Sequence, residues 1–113
     1  MPRLLPPAQT LQQAVIRVID SNTADGYRPT RFIQMTGGGY KEALPAICAG
    51  LILRGEALDH LEDAFRQNSI PCLTIEDYVS RFGKGWGFQY LVIQNAEARV
   101  SYFDTLVGGK RYA

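Results

Sequence analysis

The sequence predicts an α+β domain, with a cluster of about five helices packed on a C-terminal antiparallel β-hairpin or small sheet. Three observations lead there. Apolar residues recur at helical spacing through much of residues 10–82. Phe88-Gln-Tyr-Leu-Val-Ile93 is apolar on both faces of an extended chain apart from Gln89, as a strand covered on both sides would be. Asn95-Ala-Glu97 then reads as a turn before a second extended stretch, Arg99 to Asp104. The chain divides accordingly into an arm (1–9), a helical part (10–82), a hairpin (86–104) and a tail (105–113), all within one domain spanning 1–113.

Each element has a local reason. Pro2, Pro6 and Pro7 keep the arm extended. Thr10 opens the first helix, because Thr10-Leu-Gln-Gln13 has the form of a capping box. Leu11, Ala14, Val15, Val18 and Ile19 line one face of it, and the polar run Asp20 to Gly26 ends it. Arg28 to Thr36 suits a short helix with Pro29 in its first turn, the alternative being a strand over Arg31 to Met35. Glu42 to Leu53 makes an apolar helix if Pro45 lies in its first turn, and Glu56 to Gln67 an amphipathic one. Thr74 caps a further helix from Ile75 to Phe82, with Glu76 and Asp77 where the helix dipole favours acids.

Composition narrows the function classes. An apolar share of 46% and a charged share of 20% suit a globular chain, and a formal net charge of +1 supplies no basic field for nucleic acid. Cys48 and Cys72 are too far apart for a zinc or redox pair, and two cysteines in 113 residues point to a reducing cytoplasm. The apolar run Ala43 to Leu53 is shorter than the ~20 residues of a membrane helix, so no membrane role is expected.

Four candidate sites come out of this reading. Gly37-Gly38-Gly39-Tyr40-Lys41 could cradle phosphate, but no Gly-Lys-Ser/Thr signature follows. Gly83-Lys84-Gly85-Trp86-Gly87 offers free backbone, a charge and a stacking face. With Arg81 beside it, Lys84 and Trp86 form a candidate ligand or nucleic-acid site, which Lys110, Arg111 and Tyr112 could join. His60, with Glu56 and Asp63 at helical spacing, and Cys72 are the only groups suggesting metal or nucleophile chemistry. Neither makes a constellation, so no metal, cofactor or catalytic residue is expected. The fourth candidate is the aromatic hairpin, where Phe88, Tyr90, Val92 and Tyr102 would form an association surface.

Tyr27-Arg-Pro-Thr-Arg-Phe-Ile-Gln-Met35, followed by Gly38-Gly39 and Glu42-Ala43, resembles a segment of uncharacterised bacterial helical proteins. In those proteins a Pro-Thr-x-Phe-x-x-Met helix precedes a glycine pair and a second helix. Leu58-Asp59 with Glu62 resembles their downstream pattern, so the likeness covers about residues 27–65. It implies a helix over residues 29–36 and carries no activity. The expectation is therefore a non-enzymatic, protein-binding or regulatory module acting as a homodimer. Nucleic-acid or nucleotide binding through Gly83–Gly87 is the second choice, and a small-ligand enzyme the third.

Overall fold

A computed structural model describes residues 2–55 and 73–113 of the chain. Among them are five α-helices: α1 (Leu11–Ala24), α2 (Thr30–Thr36), α3 (Leu44–Arg54), α4 (Ile75–Phe82) and α5 (Tyr90–Leu106). A single 3-10 turn, Gly37–Gly39, joins α2 to the approach to α3. The expected helix over Glu56–Gln67, with His60 and Cys72, lies outside the described residues.

The α+β expectation is overturned at its C-terminal half. No strand occurs among the described residues, and most of the region assigned to a hairpin, residues 90–104, lies within one helix, α5. The reason lies in what the segment lacks. No glycine or proline interrupts it between Gly87 and Gly108, so nothing forces a turn at Asn95-Ala-Glu97. Val92, Ala96 and Phe103, the buried residues of α5, recur at steps of four and seven, which is one face of a helix. Ala96, expected at the turn, is fully buried, and the Asn95 side chain donates back to the Leu91 carbonyl at 2.7 Å. β-Propensity in Val92-Ile93 is a weak preference, and helical packing overrides it.

Other boundaries follow their caps. Thr10 Oγ1 accepts from the Gln13 N–H at 3.2 Å to start α1, while the Gln13 side chain accepts from Gln9 N–H at 2.8 Å. The polar run expected to stop α1 at Asp20 instead continues it to Ala24. Asn22 holds that last turn by donating to Val18 O, and Thr23 does the same to Ile19 O. Residues Arg31–Met35 are helical in α2, which ends at Gly37 in the left-handed region. Gly39 has φ +98, and a Cβ there would sit 3.3 Å from Ile16 and 3.4 Å from the Gln12 carbonyl. The glycine run thus lets the α2–α3 connection close onto α1, where Gln12 Nε2 donates to Gly39 O.

α4 packs on α5 and α1, and α3 lies against α1, α2 and α5. Their shared core includes Ala14, Val15, Cys48, Ile52, Tyr78, Val79 and Ala96. The tail is tied to the body of the fold. Arg111 and Tyr112 are buried, and Arg3 pairs with Tyr112 in an isolated parallel bridge through Arg3 N–H to Arg111 O and Ala113 N–H to Arg3 O. Arm and tail therefore lock each other, and Tyr78 adds a bond from its hydroxyl to Pro6 O at 2.7 Å.

Candidate functional site

The residues expected to bind a ligand gather at the C-terminal end of α4. Arg81 donates to the carbonyls of Tyr112 and Ala113, so the tail does return to this end of the helix. Trp86 is half-buried: its ring lies 5.7 Å from Phe82, and its indole N–H donates to Gln9 O at 3.2 Å. Lys84 is exposed. A Cβ on Gly83 would lie 2.5 Å from Val79 O, so this glycine serves close packing of the loop. Of the four residues expected at an interface, Tyr90 and Tyr102 are exposed, Phe88 is half-buried and Val92 belongs to the core.

Polar chemistry concentrates instead at the start of α4. Thr74 and Asp77 form a complete capping box, in which Thr74 N–H and Oγ1 both donate to Asp77 Oδ2, at 2.8 and 2.9 Å. Asp77 Oδ1 accepts from Arg111 at 2.6 Å, and the same guanidinium donates to Asp104 at 2.8 Å. It also lies 5.4 Å from the centre of the Phe103 ring. Burial raises the Asp77 carboxyl above its ordinary range, and Arg111 and Thr74 oppose that rise. Asp77 is thus buried and saturated with donors.

Its neighbour Glu76 is equally buried, at 3% exposure, yet its Oε2 has no hydrogen-bond partner. Burial, reinforced by the charge of Asp77, pushes the Glu76 carboxyl up to about 7, against the pull of Arg99 and Arg111. Asn22 repeats the pattern. Its Nδ2 donates to Val18 O at 2.7 Å and Leu73 O at 2.8 Å, which uses both amide hydrogens and leaves Oδ1 unpartnered. Leaving such an acceptor unpaired costs roughly 1–3 kcal/mol.

Both residues belong to the wall of one cavity of about 680 Å³, with the two orphaned oxygens themselves sealed from its open space. Its wall is built by α1 (Val18, Asn22), the Tyr27–Pro29 connection, α2 (Phe32, Met35), Leu51 of α3, and Leu73 to Glu76. Most of the wall is apolar, while Arg28, Thr30, Arg31 and Gln34 bring polar groups to it. A cavity of this size with a few placed polar groups is the usual form of a small-molecule site.

Sequence reasoning passed over both key residues. Asn22 falls in the polar run Asp20 to Gly26, although it continues the stripe Leu11, Val15, Val18 by one more helical step. Glu76 reads in sequence only as a first-turn acid that the helix dipole favours. Its flanking residues Leu73, Ile75, Tyr78 and Val79 were the available sign that this short helix is buried nearly all round.

Cys48 is fully buried in α3, and burial pushes its thiol up to about 12, far from nucleophilic at neutral pH. No group of three or more His, Cys, Asp or Glu side chains that could hold a metal occurs among the described residues. No described helix is long and apolar enough to cross a membrane. Comparison of the chain with protein-family models, curated proteins and solved structures gives no match.

Proposed function

We propose that the chain is a binding protein for a small, mainly apolar molecule held in the cavity between α1, α2, α3 and the first turn of α4. One observation carries this reading: a mainly apolar cavity of about 680 Å³ whose wall includes Asn22 and Glu76, two buried residues with one unpartnered oxygen each. Elsewhere in this region buried polar groups are paired, as in the Thr74–Asp77–Arg111–Asp104 network. Its scarce cysteines suit the chain to a reducing cytoplasm. A fragment screen followed by ¹H–¹⁵N NMR tests the site. Binders should shift Asn22, Leu51, Leu73 and Glu76 together, and a screen in which no fragment moves them overturns the reading.

A second reading, self-association, draws support from α5. Its exposed residues Leu91, Gln94, Ala98, Ser101, Tyr102 and Thr105 run about four turns along one side, with Glu97 the only charge among the exposed residues of the helix. Leu91 and Tyr102, 59% and 40% exposed, anchor the stripe. A near-neutral stripe can face its own copy without like-charge repulsion, so the partner would be a second chain. Sedimentation as a monomer at tens of micromolar, unchanged in Leu91→Asp, removes this reading.

A further inference from the structure

We infer that the cavity takes an amphipathic anion, a carboxylate on a hydrocarbon chain, its head at the exposed rim beside Arg28 and Arg31 and its chain along Val18, Phe32, Leu51 and Leu73. The inference rests on the small-molecule reading and adds the chemical class of the ligand and its orientation.

The wall of the cavity divides by exposure. Val18, Leu51, Leu73 and Ile75 are buried, and Phe32 and Met35 are half-buried. Its exposed polar residues, Arg28, Thr30, Arg31 and Gln34, all come from one stretch, the entry into α2 and the helix itself. A ligand with one apolar body and one polar head matches that division. The charges then select the sign of the head. Among the described residues the charged members of the wall are Arg28, Arg31 and Glu76, and the one carboxyl is buried. No side-chain hydrogen bond or ion pair of Arg28 occurs among the described residues, so its guanidinium can turn to a ligand without breaking one. Arg31 adds a second positive charge three residues on.

Glu76 sets the orientation. Its carboxyl, on the buried side, repels a carboxylate carried inward, so the head stays at the rim and the hydrocarbon chain enters. There the head keeps its water, while a planar guanidinium offers it paired N–H donors. An ammonium in the same place would meet two positive charges, and an alcohol would forgo the ion pair. An exposed ion pair contributes up to about fivefold in affinity, and salt screens it. The preference for an anion should therefore be several-fold at low ionic strength and fade near 1 M salt, where charges are felt over only about 3 Å.

The test is an NMR titration of the full chain with octanoate, octan-1-ol and octylamine, at low salt and in about 1 M sodium chloride, on the native sequence and on Arg28→Gln. Octanoate should shift Arg28 together with Leu51 and Leu73. At low salt it should bind roughly three- to fivefold tighter than either octan-1-ol or octylamine, and high salt should close the gap to octan-1-ol. Arg28 is exposed, so Arg28→Gln should fold as the native chain does. It should weaken octanoate about threefold and leave octan-1-ol unchanged. Octan-1-ol or octylamine binding as tightly as octanoate at low salt overturns the anion inference while leaving the cavity a ligand site. Undiminished octanoate binding by Arg28→Gln overturns it in the same way. Failure of all three probes to shift the cavity also overturns it, and the fragment screen then decides separately whether the cavity binds anything.

Discussion

Glu76 makes the stability of this protein depend on pH in an unusual direction. A carboxyl raised from 4.5 to about 7 in the folded chain holds its proton where the unfolded chain has lost it. Between those values the native state binds more protons than the unfolded one, so stability falls as pH rises. The contribution is complete below about pH 4.5 and is lost through pH 7. At 1.36 kcal/mol per pH unit, the loss across this window is roughly 3 kcal/mol. Burial of the side chain is essentially complete, so solvent screening takes little from that figure. Replacing Glu76 with Gln keeps the shape and removes the proton. Urea unfolding followed by far-UV circular dichroism at pH 5, 6, 7 and 8 measures the effect. The native chain should weaken by roughly 3 kcal/mol over that range, most steeply from pH 5 to 7. Glu76→Gln should stay nearly level and be the more stable of the two at pH 8. A native chain with no such fall, or a variant with the same slope, would refute the assignment to Glu76.

Further outcomes follow from the same geometry. Arg111→Met should cost about 3–5 kcal/mol in urea unfolding, because it strands the buried Asp77 charge and cuts the tail from α4. Tyr90→Asp should leave stability within about 0.5 kcal/mol, whereas Val92→Asp should cost more than about 3 kcal/mol, since Tyr90 is 73% exposed and Val92 only 3%. On a hairpin those two residues would share a face, so equal effects in the same unfolding assay would restore the β reading. In a Cys72→Ser background, Cys48 should resist a thiol reagent at pH 8 until denaturant is added, being buried with its thiol pushed up to about 12. Rapid labelling of the folded chain would contradict its place in the core.

The helical half was legible because its signals are local. Thr10 and Thr74 announced caps that the structure realises with the bonds their side chains can reach. Pro45 sits in the first turn of α3, the one place where a helix tolerates it. The C-terminal half misled because aromatic and β-branched residues crowd Phe88–Ile93, and two-faced apolar character suits a buried strand and a packed helix alike. Length should have arbitrated: twenty residues without glycine or proline, Phe88 to Val107, exceed any ordinary strand and match α5. The cavity was invisible for a different reason. It is assembled from α1, α2, α3 and the approach to α4, and no single segment carries its pattern. Arg111 shows the same limit, since a basic residue in a glycine-rich tail gave no sign of pairing with Asp77 thirty-four positions earlier.

Asp77 and Glu76 are adjacent acids on one short helix, buried to the same degree, and their difference is the best argument for a site. If burial of acids here were an accident of packing, both carboxylates should show similar deficits. Asp77 instead accepts from a backbone amide, a hydroxyl and a guanidinium, while Glu76 Oε2 accepts nothing. A glutamine or leucine at position 76 would cost the fold less than an unpaired buried carboxyl. The same is true of Asn22, whose two donors already do the structural work of tying α1 to Leu73. Two deficits beside a network with none make the approach to α4 the part of the described fold where buried polar groups are least satisfied.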